Sequence, residues 1–287
     1  MAVLYGKNYG KPTLDLNFAG NKSLIDTTTE KNYVTFSRAQ SGNEATYIGS
    51  DGLIKYAAAD EPRFDHDPAT LESLGLLIEE SRTNVTRPSD FSSLWVYTTP
   101  GDGIIQTAYG LAPDGSTSSI YLQPNSAARV LRNTSGSGIT AGTYTVSLFY
   151  KGDKPISVAG PGANEGLTDV ANYGNGWKRA ASTLTFTGGG YLDITVLSGT
   201  SVELWGIQAE LGSFPTSYIP TTSSAVTRAA DLASITGTNF SSWYQNSSST
   251  FTLKGRFISS SIYATWGILA VGVGSYLADN DFRMRIV

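Results

Sequence analysis

Cysteine is absent from this 287-residue chain, and histidine occurs once, at His66. Without cysteine there is no disulfide, no thiolate metal site and no cysteine nucleophile. A single histidine excludes a zinc site built from several histidines, and it leaves His66 as the only base that a Ser-His-Asp triad could use. We therefore expect no catalytic residues and no cofactor.

Charge is also scarce, since charged residues make up 15% of the chain, where about 25% is typical. The 20 basic and 24 acidic residues leave a formal net charge of −4. No run of basic residues forms the patch that a nucleic acid needs. The sequence therefore predicts no nucleic-acid partner.

Long hydrophobic runs are missing too. The most apolar stretch, residues 266–278, is interrupted by glycine and serine and is shorter than the ~20 residues that a membrane helix needs. The first ten residues do not have the pattern of a secretory signal peptide. We expect no insertion into a membrane.

What the chain does contain is alternation. Apolar residues alternate with threonine, serine or aspartate along residues 143–150, 183–187 and 192–196. This period of two is typical of a strand with one buried face. Clusters of glycine, aspartate and proline separate the runs, and such residues adopt the conformations that tight turns require. The pattern predicts an all-β protein, built as a sandwich or a barrel.

Evidence for helices is thin. Asp67 and Pro68 could cap and begin a short helix. The apolar residues that follow, at 74–78, could continue that helix or form a buried strand. A short internal similarity links residues 34–39 with 226–230, and it suggests that both segments follow similar strand edges.

Composition divides the chain into four parts. Residues 1–88 are mixed but mainly β, and residues 89–213 have the best series of strands. Residues 214–240, with two prolines and many serines and threonines, are predicted to be an extended connector. Residues 241–287 begin a new strand series, with alternation at 250–257 and 282–286, but are too few to bury a sheet alone.

Three segments then resemble a known group of proteins. The first is VTFSRA (34–39) followed by ATYI (45–48). The second is PRFDHDP (62–68), GLLIEESRTN (75–84) and DFSSLW (90–95). The third is LWGIQAELG (204–212), FPTSYIPTT (214–222) and VTRAAD (226–231). Their order and spacing, over roughly residues 30–250, resemble bacteriophage tail fibres, head spike fibres and related virion proteins.

The resemblance implies a homotrimeric virion protein whose N-terminal region, 1–88, attaches it to the tail or capsid. It implies that 89–213 is an antiparallel jelly-roll β-sandwich of the kind that binds carbohydrate. Residues 240–252 resemble the entry to a laminin-G-like or concanavalin-like sandwich, of which 241–287 would be only the incomplete beginning. A structural calcium ion in the jelly roll would fit the analogy, but the sequence identifies no ligands for it.

Candidate sugar-binding residues are the tryptophans Trp95, Trp177 and Trp205, because an apolar sugar face stacks on a flat aromatic ring. If Val202 and Leu204 face the core, Trp205 and Ile207 face the other side of their strand. The alternative is that each tryptophan packs in the core or in an interface.

The acidic residues offer weaker candidates. Asp60, Glu61, Asp65 and Asp67 surround His66 and could bind calcium. Their spacing does not match a calcium loop, and a solvated turn capped by aspartates explains them as well. The sequence therefore predicts no metal site.

Glu79 and Glu80 are adjacent, and adjacent strand residues point to opposite faces. They cannot flank one glycosidic bond as a glycosidase requires. Arg82 is the expected ion-pair partner of a neighbouring glutamate.

The leading hypothesis is a non-enzymatic phage fibre or spike protein located in the virion. Its partners would be other phage structural proteins and a polysaccharide of the host surface. The alternatives are a decoration or cement protein of the capsid or tail, and, ranked last, a polysaccharide depolymerase. Exposed aromatic rings would favour sugar binding, and buried ones would favour cement.

Overall fold

A computed structural model describes residues 12–91, 95–97, 103–125, 129–133, 138–155, 157–244, 252–255, 270–274 and 277–284. The fold is mainly β, with short helices. The N-terminal part contains α1 (Phe18–Asn21), β1 (Thr35–Ser37), β2 (Ala45–Ile48), β3 (Ile54–Ala57), β4 (Phe64–His66), β5 (Ser73–Leu76) and β6 (Arg82–Asn84).

The middle part supplies the longest strands. They are β7 (Trp95–Tyr97), β8 (Gly103–Gln106), β9 (Ile120–Pro124), β10 (Arg129–Asn133), β11 (Gly142–Gly152), β12 (Ser157–Gly160), β13 (Ala163–Gly166), β14 (Thr168–Asn172), β15 (Lys178–Phe186), β16 (Leu192–Val196) and β17 (Val202–Leu211). The C-terminal part contains β18 (Val226–Arg228), β19 (Leu232–Ile235), α2 (Gly237–Ser241), β20 (Ala270–Gly274) and β21 (Leu277–Met284).

Two antiparallel sheets form the body of the protein. A five-stranded sheet has the order β13-β12-β16-β10-β7, and a six-stranded sheet has the order β14-β15-β11-β17-β9-β8. Apolar residues from the facing sides of both sheets share one buried cluster, to which β16 contributes Ile194 and β11 contributes Val146 and Leu148. Two facing antiparallel sheets are the arrangement of a β-sandwich. The prediction of a mainly β protein with antiparallel sheets is therefore confirmed.

The alternation in the sequence located the central strands well. The run at 143–150 lies inside β11, the run at 183–187 falls largely in β15, and the run at 192–196 coincides with β16. The polar residues Thr145 and Ser147 of β11 are also buried, because the middle of the strand is covered on both faces, whereas Thr143 near its start is exposed. Alternation therefore predicted the strand, but not the second covering layer.

A β-bulge changes the facing of residues along β17. Pairing with β11 shifts between Ser147 and Phe149, and Gly206 in the bulge has a φ of 61°. Trp205 lies on the outer face, but Ile207 belongs to the sandwich core. The prediction that Trp205 and Ile207 share a face is therefore wrong, because the extra residue of a bulge reverses the alternation.

The N-terminal part packs on the sandwich through small antiparallel pairs. β2 pairs with β3, β4 with β5, and β18 with β6. β1, β19, β21 and β20 form a four-stranded sheet. Within residues 214–240, β18 pairs with β6, β19 pairs with β1 and β21, and α2 begins at Gly237.

Two other local predictions resolve differently. Residues 68–70 form a turn rather than a helix. Ser73–Leu76 is a strand, but it ends before residue 78 and is not the buried strand that was the alternative, since Leu74 is 43% exposed. Leu71 has a φ of 62°, which a continuing helix does not allow.

The C-terminal predictions are only partly covered. The alternation at 282–286 falls in β21 as far as Met284. Of the run at 250–257, only residues 252–255 are described, and they form no strand. No helix in the described part of the chain is long and apolar enough to cross a membrane.

Candidate functional site

The three tryptophans that were sugar-stacking candidates are all buried. Trp95 is 9% exposed, and its Nε1 donates to the carbonyl oxygen of Pro88 at 2.9 Å. Its ring packs against Phe91 with 4.8 Å between the ring centroids. Trp177 is 1% exposed and Trp205 is 2% exposed.

Trp177 and Trp205 lie together on the outer face of the six-stranded sheet. The Nε1 of Trp177 donates to the carbonyl oxygen of Leu111 at 3.0 Å, and that of Trp205 donates to the hydroxyl of Ser118 at 2.9 Å. The ring of Trp205 lies 4.6 Å from the ring of Tyr218. Both indoles are therefore enclosed and hydrogen-bonded.

A sugar ring can stack only on an aromatic face that it can reach. Burial of the three indoles therefore favours the packing interpretation over the stacking one. The physical reason is a third layer, to which Ile54 of β3 and Tyr218 of the connector contribute, and which covers the face on which Trp205 lies. The periodicity of a strand indicates on which face of the sheet a side chain lies, but it does not indicate whether another layer covers that face.

A second buried feature is a group of charged side chains, here called the Asp231 network: Arg38, Arg63, Glu79, Arg228 and Asp231. The side chains of the three arginines and of Asp231 are 0% exposed, and that of Glu79 is 12% exposed. Arg38 Nη1 donates to Asp231 Oδ1 at 2.9 Å, and Arg63 Nη2 donates to Asp231 Oδ2. Arg228 Nη1 lies 3.9 Å from the same carboxylate.

Glu79 is the second carboxylate of the network. Arg63 Nη1 lies 2.9 Å from its Oε2, and Arg228 Nη2 lies 3.6 Å from the same atom. The hydroxyl and backbone N–H of Ser217 donate to its two oxygens at 2.6 and 2.8 Å. Burial alone would raise the pKa of Glu79, but the two guanidinium groups and the hydrogen bonds from Ser217 together hold the pKa well below its usual value.

Three guanidinium groups face only two carboxylates, and backbone carbonyls accept several of the remaining N–H donors. Arg38 Nη2 donates to the carbonyl oxygens of Ala58 and Glu61 at 2.6 and 2.9 Å. Arg63 Nη1 donates to that of Thr46 at 2.7 Å. These bonds offset part of the large cost of removing arginine from water.

The network joins distant parts of the chain. Arg38 comes from the first of the three resembling segments, Arg63 and Glu79 come from the second, and Arg228 and Asp231 come from the third. The internal similarity between 34–39 and 226–230 places one arginine of each copy in this network. The two similar segments therefore each supply one arginine, Arg38 and Arg228, that lies near Asp231.

Asn84, also in the second segment, makes a separate buried junction. Its side-chain amide donates to the carbonyl oxygens of Ile207 and Ile219 at 3.2 and 2.9 Å. Its Oδ1 accepts from the backbone N–H of Ala209 at 3.1 Å. One side chain therefore connects the end of β6 to both β17 and the connector.

The adjacent glutamates lie in different surroundings, although neither belongs to a strand. Glu79 belongs to the Asp231 network, whereas the Glu80 side chain is 47% exposed. Arg82 Nε donates to Glu80 Oε1 at 2.7 Å, so the predicted pairing of Arg82 with a neighbouring glutamate is confirmed.

The acidic residues near His66 accept hydrogen bonds from backbone N–H groups, in a local turn for Asp67 and from distant segments for Asp60 and Asp65. Asp60 accepts from the backbone N–H of Arg38 at 2.8 Å. Asp67 accepts from the backbone N–H groups of Ala69 and Thr70, each at 2.9 Å. Among the described residues, no group of three or more histidines and carboxylates is arranged to hold a metal ion. The two hydrogen bonds of Asp67 support the interpretation of its segment as a capped turn.

His66 and Asp65 bracket the backbone of Ile48. His66 is 4% exposed, and its Nδ1 donates to the carbonyl oxygen of Ile48 at 2.9 Å. Asp65 accepts from the N–H of Ile48 at 2.7 Å, and burial raises the pKa of Asp65 to about 6. Both side chains therefore hold β4 against β2.

An open cleft of about 770 Å³ lies beside these strands, and His66 is part of its lining. Tyr56, on its wall, donates its hydroxyl to the Asp114 carboxylate at 3.0 Å, and burial together with Asp114 raises the pKa of Tyr56. Lys55 Nζ lies 2.6 Å from the carboxylate of Asp51. These polar groups already pair with one another.

Exposed aromatic residues do occur elsewhere. Tyr109 is 47% exposed and stacks on Tyr121, with 4.7 Å between ring centroids and 27° between the ring planes. The sequence contains 16 tyrosines, and no pattern in it indicates that Tyr109 and Tyr121 are in contact. The alternation of Tyr121 with Ile120 and Leu122 indicates only that Tyr121 faces away from the core.

A scan against models of known protein families and a search of curated proteins find no match to this chain. The residue strings and the geometry above are therefore the observations that indicate a function.

Proposed function

We propose that this chain is a structural protein of a bacteriophage particle, a tail or capsid fibre or spike that attaches to polysaccharide on the host surface. The observation that supports the proposal best is the Asp231 network. All three resembling segments, separated by up to about 190 positions, contribute side chains to one buried joint. The strings therefore correspond to one structural unit rather than to scattered short similarities.

In this proposal the middle sandwich is a jelly roll, and residues 1–88 both cover it and attach the protein to the particle. The described strands β20 and β21 extend the sheet of β1 and β19, and assembly of three copies around one axis covers the open edge of that sheet. Several copies on one particle allow weak sugar contacts to add up to firm attachment.

A rigid body suits this role. Asn84 fixes the N-terminal part to the sandwich, and the Asp231 network fixes it to the connector. Tyr218 closes the outer face over Trp205. A fibre module transmits force between particle and host, and buried cross-links between layers resist the relative movement of those layers. The same features would serve a purely structural protein equally well.

A decoration or cement protein is the second candidate. The burial of Trp95, Trp177 and Trp205 favours it, because none of these rings remains as a sugar platform. A depolymerase is less well supported. Two of the carboxylates that line the cleft, Asp51 and Asp114, are each held by a neighbouring side chain.

Two measurements test the proposal. Purified chain 1–287 is applied to an array of bacterial capsular polysaccharides and O-antigens, and its mass in solution is measured by light scattering. We expect three times the 30.5 kDa chain mass and saturable binding that soluble polysaccharide competes away. A folded oligomer that binds no glycan would favour the decoration candidate.

The virion assignment has its own test. Antiserum against the purified chain is used to probe gradient-purified particles from a lysate that contains the protein. We expect the chain to sediment with intact particles. Its presence in the soluble fraction alone would contradict both the fibre and the decoration candidates.

A further inference from the structure

At the β8 edge of the six-stranded sheet, the residues that the structure describes leave the outer face uncovered. In β9, Ile120 and Leu122 are buried in the sandwich core, whereas the alternating residues Tyr121 and Gln123 lie on the outer face and are half-buried. Over the central strands this face is covered by the third layer. Near β9 and β8 the side chains of that face reach solvent.

The neighbouring edge strand continues the same surface. In β8, Ile104 pairs with Gln123, and Gln106 pairs with Tyr121. Ile105 packs on the sandwich core, so Ile104 and Gln106 lie on the outer side, where both are exposed. The four residues therefore form two adjacent cross-strand pairs on one flat face.

Tyr109 completes the surface from the loop that follows β8. Its backbone N–H donates to the carbonyl oxygen of Ser119 at 2.9 Å, which fixes its position beside β9. Its ring stacks on Tyr121 and remains 47% exposed. We name Ile104, Gln106, Tyr109, Tyr121 and Gln123 the tyrosine platform.

The chemistry of the platform is uncharged and amphipathic. The Tyr121 hydroxyl donates to Oε1 of Gln123 at 3.1 Å, which leaves the Gln123 NH₂ group as a donor. Opposite Tyr121 on β17 lies Glu203, which is 9% exposed and pairs with Lys151 at 3.2 Å. The nearby charge is therefore compensated, and the platform itself carries none.

We propose that the tyrosine platform binds a neutral polysaccharide. The apolar face of a sugar ring stacks on the exposed tyrosine ring, and its hydroxyl groups bond to the two glutamine amides. The nearby cation, Lys151, already pairs with Glu203, so the platform does not favour an acidic polysaccharide or a nucleic acid. The inference rests on the proposed function, because it names the surface and the sugar class for host attachment.

The cleft near Tyr56 serves as the comparison surface. It also contains aromatic rings, but Tyr56 and Asp114, like Lys55 and Asp51, already satisfy one another. Tyr56 is 39% exposed, close to the value for Tyr109. Replacing Tyr56 therefore removes a similarly exposed ring without touching the platform.

The test measures binding of chain 1–287 and its variants to neutral and acidic bacterial O-polysaccharides immobilised on one array. We expect the wild-type protein to bind neutral polysaccharides, and Tyr109→Ala to weaken that binding about tenfold through loss of stacking. Tyr109→Phe keeps the ring and should bind within about twofold of wild type, as should the control Tyr56→Ala. Circular dichroism checks that each variant is folded.

The outcomes separate the two proposals. If wild-type protein binds neutral polysaccharide and Tyr109→Ala and Gln106→Ala bind equally well, the platform is not the site while the attachment function stands. Loss of binding only in Tyr56→Ala would move the site to the cleft and overturn the inference. Exclusive binding of acidic polysaccharides would overturn the sugar class, and no binding to any glycan would overturn both proposals.

Discussion

At the scale of single residues, Asp231 has the most demanding environment in the described chain. Its carboxylate accepts from Arg38 and Arg63, lies near Arg228, and also accepts from the backbone N–H of Glu79. A buried charge stabilises a fold only while its partners remain, since each partner left alone pays its full desolvation cost. Asp231 is therefore the residue whose loss leaves the most buried charge uncompensated.

The Asp231→Asn variant keeps the size of the side chain and removes its charge. We expect the free energy of unfolding to fall by about 3–5 kcal/mol, because buried Arg38 would lose its carboxylate partner while Arg63 and Arg228 would keep Glu79. Urea unfolding measures the loss. The matched control is Glu80→Gln, which breaks the exposed pair with Arg82 and should cost less than about 1 kcal/mol. Equal small losses in the two variants would contradict the importance of the network.

Asp65 gives a prediction with pH. Burial raises its pKa to about 6 in the folded state, against about 3.9 when unfolded. A raised carboxyl pKa means that the protonated form favours folding. This contribution is present in full below about pH 4 and is lost as pH rises to about 6.

Asp65→Asn removes this titration. We expect the stability of the variant relative to wild type to increase between pH 4 and pH 7 by on the order of 2 kcal/mol, measured by urea unfolding at each pH. Asp51→Asn is the control, because the exposed Lys55 partner lowers the pKa of Asp51 and gives no such increase. A constant difference between Asp65→Asn and wild type across this range would refute the prediction.

At the scale of elements, the bulge in β17 decides which residues reach the core. It places Trp205 outside and returns Ile207 to the sandwich, so that the strand contributes to two separate clusters. Gly206 makes this geometry accessible, since its φ of 61° is unfavourable for residues with a Cβ. An alanine Cβ there would also lie 2.8 Å from Cδ2 of Phe149.

Gly206→Ala should therefore combine backbone strain with a clash against a buried ring. We expect a loss of about 2–4 kcal/mol in the free energy of unfolding. Gly199→Ala is the matched control, because Gly199 has a φ of 74° and no heavy atom within 4 Å of the added Cβ. It should lose only about 1 kcal/mol from strain. Thermal and urea unfolding compare the two, and similar losses would mean that contact with Phe149 contributes nothing.

At the scale of the whole molecule, the protein is layered rather than a string of independent modules. The six-stranded sheet is buried by the five-stranded sheet on one side and by the third layer on the other. Thr46 of β2 donates its hydroxyl to the carbonyl oxygen of Tyr218, which connects the N-terminal part to the connector within that layer. The boundaries at 88 and 213 thus pass through packed interfaces.

This layering predicts that residues 89–213 are unstable alone. Removing Ile54 and Tyr218 exposes Phe149, Trp177 and Trp205, and each large apolar side chain contributes roughly 1.5–3 kcal/mol when fully buried. We expect fragment 89–213 to bind the dye ANS and to unfold at a much lower urea concentration than fragment 12–244, which retains the cover. Equal midpoints without dye binding would show that the sandwich folds as an independent domain.

Sequence alone determined the local β structure. Alternation at 143–150 and 192–196 placed two central strands, because a half-buried strand needs apolar residues at every second position. It also identified Arg82 as the partner of a neighbouring glutamate, because opposite charges so close along the chain readily meet.

Tertiary structure decided what each face meets. The burial of Trp205 depends on Tyr218, and the platform depends on Tyr109 reaching Tyr121, and both contacts are fixed by packing rather than by local pattern. The Asp231 network is the clearest case, since Arg38 and Asp231 are 193 positions apart. Alternation concerns only neighbouring residues of one strand. Burial and the pairing of charges depend on residues that are distant in the sequence and meet only in the folded protein.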